Sequence, residues 1–345
     1  MGERPLTGHA GPPHVAVFSL GGTIASTGQA GSGVTPRLGA RELVDAVPQL
    51  RDVARIEAVA FRQVSSGDLT FADLVALAAE IDRRLAAGCA GVVVTQGTDT
   101  VEETSFALDL LVRASRPVVV TGAMRNPTLS GADGPANLLA AVRVAAAPQA
   151  AGLGTLVVVG DEIHAARFVR KTHTSRPSAF GSGTAGALGW VVEDRVRIGL
   201  RVPPLPHVVL GAREGDVPPV ALLTCALGDD ARLLGQVRVL GYAGAVVQAL
   251  GGGHVPAAIV PALEELAGQV PVVLASRAGA GEVLTGTYGF PGSERDLLAR
   301  GLVPAGFLDG PKARVLLSLL LAGGAGADDV RAAFAQVADP SAWIL

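Results

Sequence analysis

The stretch Gly91-Val92-Val93-Val94-Thr95-Gln96-Gly97-Thr98-Asp99-Thr100-Val101-Glu102-Glu103 passes from an unbroken apolar run through a glycine turn into a segment that opens with two carboxylates. A short β-branched run without alternation is a strand buried on both faces, the signature of a parallel sheet. Acidic residues after the turn suit the first turn of a helix, where the dipole favours them. Outward from here the pattern repeats. His14 to Leu20, Pro117 to Thr121 and Thr155 to Gly160 read as buried strands, and Thr70 to Ala87 and Glu102 to Ala114 carry apolar residues at helical spacing. This βαβ rhythm predicts an α/β fold, a mostly parallel sheet with helices on both faces.

A second series starts near Val217. Val220 to Ala226, Gly244 to Leu250 and Val270 to Ser276 read as strands, with Asp229 to Leu240 and Pro256 to Ala267 as helices; Gly310 to Ala322 and Asp328 to Ala338 close the chain as helices. Lys312-Ala313-Arg314 reads as a solvated helix face. With 345 residues the chain exceeds the size at which single cores stop growing, so two domains are expected. The reading is a tail over 1–13, a larger flavodoxin- or Rossmann-like domain over 14–200, a proline-rich linker over 201–216 and a smaller α/β domain over 217–345.

Composition removes several function classes. The net charge of -3, with Lys and Arg scattered singly, offers no basic stripe for nucleic acid, so a small molecule is the expected partner. The six histidines fall at no metal-ligand spacing, and Cys89 and Cys225 sit in apolar contexts that suit buried free thiols rather than a disulfide or a metal. There is no G-x-S-x-G elbow, no P-loop lysine and no G-x-G-x-x-G, which leaves a nucleotide only weak support and predicts no cofactor. The polar segment 1–13 lacks a signal-type apolar core, and no apolar run approaches a membrane span. Both point to the cytoplasm.

Two loops at strand ends carry a hydroxyl set in glycine: Leu20-Gly21-Gly22-Thr23-Ile24-Ala25 and Gln96-Gly97-Thr98-Asp99. Carboxyl ends of parallel strands form the crevice where ligands sit. Thr23 is the leading nucleophile candidate, because the glycines let backbone approach a substrate and a following helix start would aim N–H groups at an oxyanion; the alternative is a helix N-cap. Thr98 and Asp99, adjacent on a turn, can serve the reacting carbon and a cationic group respectively. Glu102 and Glu103 suit capping. Lys171, among hydroxyls, is either a surface lysine or, desolvated beside a threonine, a proton shuttle. Arg125 to Asn137, with its Asp133-Gly134-Pro135 turn, reads as a loop that holds backbone in place.

Together Leu20 to Ala25, Gln96 to Glu103, Ala123-Met124-Arg125 with Ala132 to Pro135, and Lys171-Thr172 resemble the bacterial-type L-asparaginases and glutaminase-asparaginases, in order and along nearly the whole chain. The resemblance implies a cofactor-independent amidohydrolase that converts L-asparagine to L-aspartate and ammonia through a threonine acyl-enzyme, with L-glutamine as a side substrate. It implies Thr23 as nucleophile, Thr98, Lys171 and Asp99 as the proton relay, Asp99 also on the substrate amino group, Ser66 on the α-carboxylate and the Ala123 backbone on the amide. A lid over Ser26 to Arg37 is implied as well. That segment has no tyrosine where secreted members place one, near Gly33 to Thr35, so Thr27 and Thr35 are its candidate hydroxyls. Gly67 stands where members often carry a polar side chain. The resemblance implies a site completed by a neighbouring subunit's acidic residue, Glu294 or its rival Glu282, and hence a homo-oligomer, a dimer or a tetramer. A sensor that kept the fold without turnover is the reading from another class.

Overall fold

The computed structural model describes residues 11–27, 35–36, 39–211 and 216–338. In chain order the first half contributes β1 (His14–Gly21), the short pair β2 (Ser26–Thr27) and β3 (Thr35–Pro36), β4 (Arg55–Val64), β5 (Gly91–Thr95), β6 (Val118–Thr121), β7 (Thr155–Val159), β8 (Glu162–Ala165), the short pair β9 (Arg170–Lys171) and β10 (Phe180–Gly181), β11 (Gly189–Val192) and β12 (Arg195–Ile198). Its helices are α1 (Ala40–Asp45), α2 (Leu50–Val53), α3 (Phe71–Ala86), α4 (Val101–Leu111) and α5 (Gly134–Ala146).

Eight of these strands form one sheet in the order β12-β11-β8-β7-β6-β5-β1-β4. The run from β4 to β7 is parallel, and β8, β11 and β12 add an antiparallel margin. Period-two alternation sends Val92 and Val94 of β5 to one face, against Leu77, Ile81 and Leu108, and Val93 to the other, against Leu138 and Val142. Valine on both faces is why the strand reads as a continuous apolar run. The order reverses at β1, which has β4 on one side and β5 on the other. The crevice for a ligand lies there, outside the carboxyl ends of β1 and β5.

The second half is an all-parallel sheet of β13 (Val220–Thr224), β14 (Gly244–Ala249), β15 (Val272–Ser276) and β16 (Val303–Pro304), with α6 (Val260–Ala267), α7 (Glu294–Ala299), α8 (Gly310–Ala322) and α9 (Ala327–Ala338). The two halves share apolar packing: Leu77, Phe106 and Leu108 belong to the same buried cluster as Leu316, Leu317 and Phe334. Within the stretch that reads as a linker, Leu205 is buried in this cluster and the Val208 N–H donates to the Leu110 carbonyl at 2.9 Å.

Several readings are corrected. No helix spans Asp229 to Leu240; the segment is turns around a 3-10 turn at Leu234–Gln236. Gly228 and Gly241 take left-handed backbone there, and Asp230 folds back to accept the Arg232 N–H at 3.1 Å. Helix α4 stops at Leu111 because the Asp82 carboxylate accepts the next two free N–H groups, those of Arg113 and Ala114. Lys312 is no solvated face: it is 1% exposed. The edge strand β4 was not foreseen because one neighbour leaves half its side chains wet, so Arg55, Glu57, Arg62 and Gln63 dilute its apolar signal.

Candidate active site

The two hydroxyl-bearing loops touch backbone to backbone. Gly21 and Gly22 have φ of 102° and 84°, and a Cβ added to Gly22 would stand 1.9 Å from the Gly97 nitrogen. Only glycine fits such an approach in left-handed backbone. A Cβ on Gly97 would in turn stand 2.8 Å from Ser66 Oγ. Thus the turns after β1, β4 and β5 converge, bringing Thr23, Ser66, Thr98 and Asp99 to one edge of the sheet. Thr23 opens a single 3-10 turn over Thr23–Ala25, closed by the Ala25 N–H on the Gly22 carbonyl at 3.0 Å. Neither the helix start nor the N-cap role read from the sequence is present, because the chain passes directly into β2.

Lys171 is brought to the second loop by β9, which pairs antiparallel with β10. Its Nζ donates to Thr98 Oγ1 at 3.0 Å and to Asp99 Oδ1 at 2.5 Å. The lysine side chain is 16% exposed while Asp99 is 75% exposed, so the amine is largely enclosed and the carboxylate opens to solvent. The Lys171 N–H donates to Glu102 Oε2 at 2.9 Å. Glu102 is therefore a tie between α4 and β9. Burial pushes the Glu102 carboxyl above the ordinary glutamate range, with Lys312 and the Lys171 N–H pulling back; burial and then the neighbouring Glu102 raise Glu103 in the same direction.

The loop after β6 places buried Ala123 at the same edge. Asp133 accepts the Met124 and Arg125 N–H groups at 3.0 and 2.8 Å, and Asn137, fully inside, donates to the Gly122 carbonyl at 2.9 Å and accepts the Gly160 N–H at 3.0 Å. Ser66 is buried and its carbonyl accepts Thr100 Oγ1 at 3.0 Å, while Gly67 faces open space. Buried Gln96 donates to the same Thr100 hydroxyl at 3.3 Å.

Two acidic candidates part company. Glu294 is wholly buried: Oε1 accepts the Thr287 and Tyr288 N–H groups, both at 2.7 Å, and Oε2 lies 3.2 Å from His254 Nε2. Glu282 is exposed and lines a cavity of about 260 Å³ with Arg170, Thr172 and Gly281. Thr27 and Thr35 are backbone partners in the β2–β3 pair; most of the lid segment between them lies outside the described residues.

One group among the described residues, His14, Glu57 and Cys89, clusters closely enough to hold a metal. It lies at the amino end of β1, away from the site, and Arg84 already pairs with Glu57. Cys225 is buried and its thiol is pushed up to about 11 by burial and then Asp229. Sequence reasoning missed Gln96 and the tie from Glu102, and took Asn137 only as the end of the backbone-holding loop. Asn137 bonds mainly to the backbone of Gly122 and Gly160, and Gln96 to the Gly97 carbonyl and the Thr100 hydroxyl, which leaves no spacing to find; for Glu102 the signal was its acidic partner at 103, an odd pair to half-bury unless something is held.

The chain matches the family model described as Asparaginase, N-terminal, over residues 14–203, and the Glutaminase/Asparaginase C-terminal domain over 219–334. It is 40% identical over 341 residues to a probable L-asparaginase of Deinococcus radiodurans, covering 94% of this chain and 98% of that protein. It is 35% identical over 317 residues to a probable periplasmic L-asparaginase of Haemophilus influenzae, covering 90% and 88% respectively. The crystal structure of a probable cytoplasmic L-asparaginase from Campylobacter jejuni superposes with a TM-score of 0.85 at 32% identity, covering 94% of this chain and 99% of that one. Among the described residues no helix is long and apolar enough to cross a membrane.

Proposed function

Since the chain belongs to the asparaginase family, whose N- and C-terminal models it matches in order, we infer that it hydrolyses the side-chain amide of L-asparagine to L-aspartate and ammonia in amino-acid catabolism. The observation that supports the relay most directly is Lys171 Nζ, within hydrogen-bond reach of both Thr98 and Asp99 at the edge where the Thr23 loop arrives. In this reading Thr23 Oγ attacks the amide carbon as its hydroxyl proton passes to an enzyme base, and the enzyme returns a proton to the nitrogen, which leaves as ammonia. Thr98 takes the proton of the water that opens the acyl-enzyme while passing its own hydroxyl proton on to Lys171 Nζ. Backbone N–H groups at the Thr23 turn receive the oxyanion, and the Ala123 backbone holds the amide. Ser66 binds the α-carboxylate and Asp99 the α-amino group. Gly67 leaves that end of the pocket without a side-chain contact.

The protein works as a homo-oligomer in this reading, a dimer or tetramer in the cytoplasm, with a neighbour's acidic residue at each site. Glu282 takes that part, supported by its exposure; Glu294 is spent inside its own subunit. Thr35 of the lid is the hydroxyl nearest in sequence to the missing tyrosine. The test is ammonia release from L-asparagine and from L-glutamine by the purified protein. Thr23→Ala and Thr98→Ala are each expected to lose at least about a thousandfold in kcat, the scale seen when members of a catalytic unit are removed. A folded oligomer inert toward both amides would instead make the protein a ligand-binding sensor.

A further inference from the structure

Three consecutive residues, Val169, Arg170 and Lys171, are each held by a different charged side chain. Lys312 Nζ donates to the Val169 carbonyl at 2.7 Å, Asp309 Oδ2 lies 3.1 Å from Arg170 Nε, and Glu102 Oε2 accepts the Lys171 N–H at 2.9 Å. Asp309 joins the set together. Its Oδ1 caps α8 by accepting the Lys312 N–H at 3.0 Å, and its Oδ2 lies 3.2 Å from Lys312 Nζ. Both side chains are almost fully enclosed, at 1% and 8% exposed.

A buried ion pair is weak evidence for stability, because well-packed apolar residues of similar volume often serve as well or better. What an apolar residue cannot do is grip a particular carbonyl. Strand β9 needs such a grip: it is two residues long, and its ladder has only the Lys171–Phe180 and Arg170–Gly181 pairs. So short a ladder has little hold on where its side chains point. We propose that Asp309, the cap of α8, and Lys312, in its first turn, are positioning residues that set Lys171 Nζ against Thr98 and Asp99. The second half of the chain thereby aligns a relay group of the first half. This rests on the reading of Lys171 as a member of the relay.

The experiment measures kcat and KM for L-asparagine in the intact protein. Asp309→Asn keeps a good helix cap but turns an amide N–H₂ toward two other donors, Lys312 and Arg170; Lys312→Met removes the grip on Val169. Each is expected to lower kcat roughly ten- to a hundredfold with KM little changed, the scale of a misplacement near 1 Å. Arg314→Met is the control, on the same helix but donating to the Val220 carbonyl at 2.9 Å, and should keep its kcat. Lys171→Met runs alongside. If it is inactive while Asp309→Asn and Lys312→Met turn over normally, whatever their melting temperatures, the positioning role is overturned and the relay stands. If Lys171→Met itself turns over normally, the relay reading fails and this proposal falls with it. Should Lys312→Met not fold, Asp309→Asn decides alone.

Discussion

At Gly22 a single hydrogen atom stands where any other residue has a carbon, and the position is closed twice over. Its φ of 84° costs an alanine about 1 to 2 kcal/mol before any contact is counted, and the added carbon would overlap the Gly97 backbone. Gly22→Ala should therefore lower the melting temperature and cut turnover more than the stability loss accounts for, because the Thr23 and Thr98 loops must separate. A thermal melt beside an ammonia assay checks it; wild-type turnover in the folded variant would show that the loops can part without penalty. The glycine-set threonines, the lysine among hydroxyls and the asparaginase resemblance were legible because each is a local pattern. The 3-10 turn after Gly22 was not, since nothing in the residues following Thr23 states how soon the chain turns aside.

Among elements, the amino end of α4 carries an unusual load: two half-buried carboxylates side by side next to a lysine-bearing strand. Glu103 has its carboxyl raised above the ordinary value of 4.5, first by burial and then by Glu102. The native state thus keeps this proton to a higher pH than the unfolded chain does. The associated stability is fully present below the unfolded value and is lost as pH rises through the native one. Glu103→Gln should accordingly lose less stability than the parent as pH rises upward from the ordinary glutamate range, measured by denaturant midpoints at successive pH values; parallel curves would contradict the assignment. The parallel strands and their crossover helices were readable, because burial on both faces writes itself as unbroken valine. Elements at the margin were not. β4 shares one neighbour and mixes charge with apolar residues, and the Asp229 to Leu240 segment had helical spacing that its flanking glycines and the Asp230–Arg232 turn overrode.

Over the whole molecule, the two sheets are joined by a common apolar interior rather than by a tether. Phe106 and Leu108 pack in the same cluster as Leu316 and Phe334, so neither half can lose its core while the other keeps it. Scanning calorimetry should give a single transition with matching calorimetric and van't Hoff enthalpies, and two resolved peaks would sink that expectation. Sequence length alone suggested two domains and could not reveal this, because shared packing between distant segments leaves no local trace. Lys312 carries the point further. A chimera that joins the first half of one relative to the second half of another inherits its Thr23 and Thr98 loops from one parent and the hand on its Val169 carbonyl from the other. The useful crossover in breeding such enzymes lies outside the whole span from 169 to 312, not at the boundary between the sheets.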